Sequence, residues 1–277
     1  MEVIIADKCG FCQGVRNAIK TAEKTLSERN GDVYSFGHII HNTDVVEKLS
    51  KKGLNTVDSI EDVSKGTILI RSHGATKKQI AKIKERNLDI VDATCVLVKK
   101  VQNIAMELES QGYRVVVIGD SDHPEVRAIT GSVEQAIVVA DKKDLHRLKK
   151  GDKLGIVCQT TQSYSHFSET VAGIIKQGFT ELKIINTLCR EAIKRQDSAM
   201  ELAKKVDIMF VLGGKHSANT KKLAELCKMF NINTFHLQNW GELDINLLEG
   251  KKTAGVTAGA STPDWVIEEF VNELEKV

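Results

Sequence analysis

The 277-residue sequence has few aromatic residues (5%) and only two prolines. It also lacks any apolar run close to the roughly 20 residues that span a bilayer. Basic and acidic residues nearly balance, at 39 and 37, without a basic stripe interleaved with aromatics. We therefore expect neither a nucleic-acid nor a membrane partner. The first residues, MEVIIADKCGFC, show no basic segment followed by an apolar stretch, which predicts a cytoplasmic protein.

Six cysteines are present, and without an export signal we expect them to be thiols in a reducing compartment. Metal binding or catalysis then explains them better than a disulfide framework does. Cys12, Cys95 and Cys189 each stand where an apolar run gives way to a helical pattern. Cys158 and Cys227 have no such setting, and we interpret them as packing residues.

The first three cysteines belong to an internal repeat. Each is followed after 28 or 29 residues by a polar residue that closes a second apolar run, namely His41, His123 and Ser217. A third member recurs as KGTILIRSHGA, KGDKLGIVCQTT and EGKKTAGVTAGAS, each a short apolar strand ending in a small or polar loop. The repeat predicts one structural unit used three times, with three cysteine-bearing loop ends that can converge on a single centre.

Short β-branched runs alternate with longer segments of helical period, as in Arg114–Ile118 followed by a helix over Glu125–Gly131. This alternation predicts an α/β fold with mostly parallel sheets covered by helices. We place three similar α/β units at residues 1–88, 89–181 and 182–277. No low-complexity linker separates them, which favours units packed against one another. Function gathers at the carboxyl ends of strands in such sheets, and all three repeat members end there.

A thiolate at the start of a helix is stabilised by the helix dipole and readily binds a soft metal. Three such ligands without a fourth leave one coordination position open, which is typical of a reactive site. Zinc and a 4Fe–4S cluster with one uncovered iron both fit three thiolates. The CGFC segment offers another interpretation, a redox motif formed by Cys9 and Cys12. That motif does not explain Cys95 and Cys189.

Imidazoles, hydroxyls and an amide recur at the second and third loop positions of the repeat. The residues at these loops are His41, His73, His123, Thr160, Thr161, Ser217, Ala218, Asn219 and Ser261. Such donors, with backbone N–H groups at helix starts, would bind an anion with several oxygens, such as a diphosphate. Glu125, at a helix start, is either an acid that complements the helix dipole or a proton donor. The dipole should lower its pKa, whereas a neighbouring diphosphate should raise it.

The segments GFCQGVRNAI, HIIHN, RSHGA, DATC, DHPEV, QTT, NTLCREAIKRQ, GGKHSANTKKL and GVTAGAST occur in that order over nearly the whole chain. Together they resemble the 4-hydroxy-3-methylbut-2-enyl diphosphate reductase (LytB) family. The resemblance implies three α/β domains in pseudo-threefold arrangement around a 4Fe–4S cluster. It also implies that Cys12, Cys95 and Cys189 ligate this cluster and that its open iron takes the substrate's hydroxyl oxygen.

The same resemblance implies roles for the loop residues. The diphosphate would be held by His41, His73, His123, Ser217, Asn219 and Ser261. Thr160 would lie near the hydroxyl and Glu125 would deliver protons. Three features depart from the family pattern, one of which is that the usual alanine–threonine after the third cysteine is not reproduced in CREAIKRQ. Val96 replaces a common proline after DATC, and Ala218 replaces a common serine, so that one donor is lost or supplied by the backbone.

The sequence therefore predicts an iron–sulfur reductase that removes the hydroxyl of (E)-4-hydroxy-3-methylbut-2-enyl diphosphate to give isopentenyl and dimethylallyl diphosphate. No G-x-G-x-x-G follows a strand, so we expect the electrons to come from ferredoxin or flavodoxin and not from a nicotinamide. Two alternatives remain open at this point. One is a zinc-dependent hydrolase, and the other is a redox or diphosphate-binding module built on Cys9 and Cys12.

Overall fold

The computed structural model describes residues 1–29, 31–149, 151, 153–215 and 217–277. Within them the strands are β1 Glu2–Ile5, β2 Val33–Phe36, β3 Leu54–Val57, β4 Thr67–Ile70, β5 Asp89–Asp92, β6 Arg114–Ile118, β7 Ala136–Val139, β8 Lys153–Cys158, β9 Glu181–Ile184, β10 Ile208–Leu212, β11 Thr234–Leu237 and β12 Thr253–Ala258. The α-helices are α1 Gln13–Glu28, α2 Thr43–Lys51, α3 Lys77–Glu85, α4 Val96–Ser110, α5 Pro124–Thr130, α6 Tyr164–Ile175, α7 Arg190–Ala203, α8 Ala218–Lys228 and α9 Asp264–Leu274.

The strands form three sheets of four, and every pairing is parallel. Their orders are β3-β2-β4-β5, β7-β6-β8-β9 and β11-β10-β12-β1. The three orders are equivalent. When the strands of each repeat are numbered along the chain, with β1 counted after β12 as the last strand of its repeat, the order in every sheet is second, first, third, fourth. The predicted α/β fold with three similar parallel-sheet units is confirmed.

The β6 strand explains why these sheets form. Its segment RVVVI is a continuous β-branched run that is buried from Val115 to Ile118, as expected for a strand covered on both faces. Val116 lies in a buried cluster with Phe167 of α6. The adjacent Val117 lies in a second cluster, with Val101 of α4. Successive side chains thus bury opposite faces of the sheet, and α4 and α6 cover the two faces.

Each predicted unit boundary lies one strand away from the corresponding boundary between sheets. β5, predicted to open the second unit at residue 89, instead pairs with β4 and completes the preceding sheet. β9 straddles the boundary at 181/182 and completes the sheet of β6 to β8. β1 pairs with β12, so the first strand of the chain completes the last sheet. The boundaries were drawn from order along the chain, whereas the partner of a parallel strand is set by packing after a crossover.

The chain divides into two compact units. One comprises Met1–Arg16, Ile40–Lys48 and Arg190–Val277, and contains the sheet of β1, β10, β11 and β12. The other comprises Asn17–Ile39 and Leu49–Cys189, and contains the two remaining sheets. In the described part of the chain, no helix combines the length and the apolar character needed to cross a membrane.

Candidate active site

The three repeat cysteines occupy the same place in the fold. Each follows the fourth strand of a sheet and stands one residue before a helix: Cys12 before α1, Cys95 before α4 and Cys189 before α7. Cys95 is the N-cap residue of α4. At Cys12, the backbone N–H of Val15 in the first turn of α1 points at the sulfur, with an N–S distance of 3.4 Å. Donors of this kind stabilise a thiolate.

A matching backbone hydrogen bond anchors each of these cysteines to the loop that ends the neighbouring strand. The N–H of Cys12 donates to the carbonyl of Ala260 at 3.1 Å, and that of Cys95 donates to Ser72 at 3.0 Å. The N–H of Cys189 donates to the carbonyl of Thr160 at 2.8 Å. These acceptor loops end the third recurring segment of the repeat, which was predicted from sequence. Each thiol is therefore fixed beside a loop that carries a predicted substrate residue.

The other three cysteines have a different chemistry. Burial raises the pKa of Cys9 and of Cys227 to about 12 and raises the pKa of Cys158 as well. Cys158 and Cys227 are fully buried, as predicted for packing residues, and Cys9 packs against the core of its unit. These thiols would resist the deprotonation that metal ligation requires. Cys12, Cys95 and Cys189, each one residue before a helix, are accordingly the set that fits a bound metal cluster.

Glu125 and Thr160 form a closed pair inside one unit. One carboxylate oxygen accepts the backbone N–H of Thr160 at 2.6 Å, and the other lies 2.9 Å from the Thr160 hydroxyl. Glu125 is only 2% exposed. Burial raises its pKa to about 7, against the opposing effect of the two hydrogen bonds. Desolvation, which the sequence could not weigh, therefore overrides the helix dipole, and the side chain can hold a proton near neutral pH.

Two imidazoles lie on the same unit as this pair. The rings of His73 and His123 meet edge to face, with centroids 5.4 Å apart. His123 is the N-cap of α5, and its Nδ1 accepts the N–H of Glu125 at 3.2 Å. In the neutral tautomer that this bond requires, the proton is on Nε2, so His123 presents one N–H donor away from the helix. That donor is suited to an anionic oxygen.

The remaining predicted residues lie in the other unit. Ser217 is the N-cap of α8, and its Oγ accepts the N–H of Thr220 at 3.3 Å. Ala218 and Asn219 form the first turn of the same helix. The hydroxyl of Ser261 donates to the carbonyl of His41 at 3.1 Å. The hydrogen bond from Ser261 joins the second and third repeat loops, and the start of α8 at Ser217 is a helix terminus of the kind that binds anions.

The twelve predicted residues thus fall into two groups. The first unit contains Cys12, His41, Ser217, Ala218, Asn219 and Ser261, and the second contains His73, Cys95, His123, Glu125, Thr160 and Cys189. In the second unit, hydrogen bonds connect Glu125 to Thr160 and Thr160 to Cys189. The prospective proton donor is therefore separated from a prospective metal ligand by a single residue.

Sequence reasoning missed two residues that organise these loops. Arg195 of α7 is 5% exposed, and its Nη1 donates to the carbonyls of Lys8 at 3.2 Å and Ala258 at 3.0 Å. Gln159 accepts the N–H of Asp120 and donates to the Thr161 hydroxyl, both at 3.1 Å. No local signal distinguishes Arg195 from the many exposed cations, whereas Gln159, in QTT, could have been noticed beside Thr160.

Parallel sheets with thiols, imidazoles and a protonatable carboxyl at the carboxyl ends of their strands define an α/β enzyme. The family model described as LytB protein matches residues 3–275. The chain belongs to the LytB family.

Relatives with full-length similarity carry one common name, 4-hydroxy-3-methylbut-2-enyl diphosphate reductase. The protein of Alkaliphilus oremlandii is 42% identical over 280 residues, covering 100% of both chains. That of Geobacter sulfurreducens is 40% identical, covering 100% of this chain and 98% of its own.

Two solved structures share the fold. One is an (E)-4-hydroxy-3-methyl-but-2-enyl diphosphate reductase described as the terminal enzyme of the non-mevalonate pathway. It is 38% identical, with a TM-score of 0.74 and full coverage of both chains. The other is the E-1-hydroxy-2-methyl-but-2-enyl-4-diphosphate reductase from Plasmodium falciparum, which is 28% identical with a TM-score of 0.94. This similarity covers 99% of the present chain and 87% of the Plasmodium chain.

Proposed function

We propose that this chain reductively removes the hydroxyl group of (E)-4-hydroxy-3-methylbut-2-enyl diphosphate. The C–O bond breaks, two electrons and two protons are consumed, water leaves, and isopentenyl or dimethylallyl diphosphate forms. Membership of the LytB family supports the substrate and the reaction class. The observation that carries the mechanism is the buried Glu125–Thr160 pair, joined through Thr160 to the loop of Cys189.

Cys12, Cys95 and Cys189 would hold a 4Fe–4S cluster through three thiolates. Their common position before a helix and their matching loop anchors support this assignment, as does the raised pKa of the other buried thiols. Such a cluster would supply the two electrons that the reduction requires. The protein contributes position, proton delivery and a site for the diphosphate.

Glu125 would supply the proton that lets the hydroxyl leave as water. With a pKa near 7, its carboxyl retains a proton at neutral pH and still releases it readily. The Thr160 hydroxyl lies 2.9 Å from one carboxyl oxygen. It can accept the proton of Glu125 while donating its own to the substrate oxygen. The Thr160 backbone N–H donates to the other carboxyl oxygen, which holds the acid in this alignment.

The diphosphate would be bound by imidazoles, hydroxyls and helix starts. His123 can donate through Nε2, because its Nδ1 already accepts a backbone N–H. The start of α8 offers backbone N–H groups, including that of Ala218, which has no side-chain donor of its own. The proposed set comprises His41, His73, His123, Ser217, Ala218, Asn219 and Ser261. We propose ferredoxin or flavodoxin as the source of electrons.

Turnover of the named diphosphate by anaerobically prepared protein tests this proposal. With reduced methyl viologen as a small electron donor, we expect loss of substrate and appearance of both isomeric diphosphates, two viologen molecules being oxidised per product. Omitting the viologen from the same preparation is the control. Release of phosphate without viologen oxidation would instead indicate a hydrolase and would contradict the proposal.

A further inference from the structure

Helix α3 is strongly basic for its length. Its sequence, KKQIAKIKE, contains four lysines and one glutamate, and its first turn has no acidic residue. Lys77 and Lys78 therefore lie at the positive end of the helix dipole, where cations are unfavourable. Lys78 and Lys82 also form a like-charge pair one turn apart, although Lys82 is neutralised by an ion pair with Glu61. Helix stability accounts for Lys82 and Lys84, which lie in the last turn, but not for Lys77 and Lys78. A role in recognition is therefore indicated for the lysines at the start of the helix.

A groove of about 450 Å³ lies between α3 and α4, beside these lysines. Its lining is mixed, with the apolar Ile80 and Met106 beside polar residues, and Lys77 and Lys84 line its α3 side. Both lysines are exposed. Among the described residues, no carboxylate forms an ion pair with either of them, in contrast to Lys99 on the opposite wall, which is 2.6 Å from Asp92. The groove thus combines apolar surface with unneutralised positive charge.

The first turn of α4 adds exposed apolar side chains directly beside a proposed cluster ligand. Val96 is 72% and Leu97 is 37% exposed, and both follow Cys95 in the chain. Thr94, the residue before Cys95, lines the groove. A protein resting on this surface would approach within one or two residues of the Cys95 thiolate. Exposed apolar residues rimmed by lysines are typical of a transient protein interface.

We propose that α3 and the first two turns of α4 form the docking surface for a small acidic electron-carrier protein. The charge of the surface selects an acidic partner, and its place beside Cys95 selects one that delivers electrons. Each encounter would oxidise one carrier molecule by one electron, so two encounters serve each hydroxyl removed as water. This inference rests on the proposed reductase function, because it requires a redox centre at Cys95.

Charge reversals at the two ends of α3 test the surface. Lys77→Glu puts an acid at the start of the helix and should stabilise it, whereas Lys84→Glu puts one at the end and should weaken it slightly. Both should raise the KM for a purified, reduced acidic ferredoxin by about 10-fold, with a smaller salt dependence than in the parent protein. Turnover driven by reduced methyl viologen, which needs no docking, should stay unchanged.

Lys176→Glu is the matched control. Lys176 is an exposed lysine at the end of α6, which covers the opposite face of the β6 sheet from α4, so this change repeats the charge reversal and the helix-end effect of Lys84→Glu. It should leave the KM for ferredoxin as it is. An unchanged ferredoxin KM in both α3 variants would overturn the inference. The inference would also be overturned if the α3 variants lost binding to anionic lipid vesicles or to RNA while their kinetics with ferredoxin stayed unchanged.

Failure of the proposed function would look different from failure of this inference. If the reductase assignment were wrong, the parent protein would not turn over the diphosphate even with reduced viologen. If only the docking surface were wrong, viologen-driven and ferredoxin-driven turnover would both proceed, and the α3 variants would match Lys176→Glu.

Discussion

At the scale of single residues, Glu125 is where the fold most changes the chemistry of a side chain. Its identity and its place at a helix start were evident from sequence. Its burial and its two bonds to Thr160 were not, because Thr160 lies 35 residues away. The dipole argument alone predicted a lowered pKa. The structure shows burial raising it to about 7, which is the value that a proton donor requires.

We expect Glu125→Gln to lower turnover by about 10²–10⁴, the usual effect of losing a general acid. Parent activity should also fall as the pH rises above about 7, because the protonated acid is then depleted. The variant should lose this dependence. The measurement is the pH profile of kcat with reduced viologen, with Glu268→Gln, an exposed change on α9, as the control. Full activity in Glu125→Gln would falsify the catalytic role.

The same residue should shape the dependence of stability on pH. The pKa of Glu125 is raised in the folded state from 4.5 to about 7. The folded protein therefore binds the proton more tightly than the unfolded chain does. The difference contributes up to about 3 kcal/mol to the free energy of unfolding. This contribution is complete below about pH 4.5 and is lost as the pH rises to about 7. Urea unfolding at several pH values should show this loss in the parent and a weaker one in Glu125→Gln. Identical slopes in the two proteins would contradict the buried, protonated acid.

The cysteines give a second prediction at residue scale. Cys95→Ser should lose most of its iron after anaerobic reconstitution, because a serine hydroxyl is a poor ligand for a soft metal. Cys9→Ser, the same change three positions before Cys12, should retain iron, since desolvation raises the pKa of the partly buried Cys9 thiol to about 12. Iron content per chain is the measurement. Normal iron in Cys95→Ser, or its loss in Cys9→Ser alone, would contradict the ligand assignment.

At the scale of elements, most strands were predictable from sequence, and two of the edge strands were not. β6 and β10 are continuous apolar runs, RVVVI after its first residue and IMFVL, that the sequence marks clearly. β3 and β11, which lie at the ends of their sheets, were missed. The β3 segment, LNTV, has two exposed polar residues and lacks the apolar period that identifies a strand. Its identity depends on pairing with β2, which local sequence does not encode.

The proposed anion site depends on the starts of helices, and a substitution at Ser217 tests this dependence. Ser217→Ala removes the N-cap of α8 and should cost about 1 kcal/mol of stability. It should also weaken binding of inorganic diphosphate, because the hydroxyl is a proposed ligand. Ser163→Ala removes the equivalent N-cap of α6 and should cost similar stability without loss of affinity. Thermal unfolding and calorimetric titration separate the two effects. Equal diphosphate affinity in the two variants would remove Ser217 from the site.

At the scale of the whole molecule, the internal repeat was readable from sequence and the assignment of strands to sheets was not. The spacing of Cys12, Cys95 and Cys189 predicted equivalent positions, and each does precede a helix after a fourth strand. The pairing of β1 with β12 joins residues about as far apart as the chain allows. Such non-local pairing leaves no mark on the local pattern of either strand. The similarity between repeats therefore predicted the α/β unit, but each predicted domain boundary lies one strand away from the boundary between sheets.

The central claim is that one redox cluster, held by the three repeat cysteines, drives removal of the substrate hydroxyl. Analysis of iron, acid-labile sulfide and zinc in an anaerobic preparation tests it most directly, with viologen-driven turnover measured on the same sample. The account predicts about four iron and four sulfide per chain, negligible zinc, and turnover that scales with iron content. Stoichiometric zinc without sulfide in a preparation that still processes the diphosphate would contradict it.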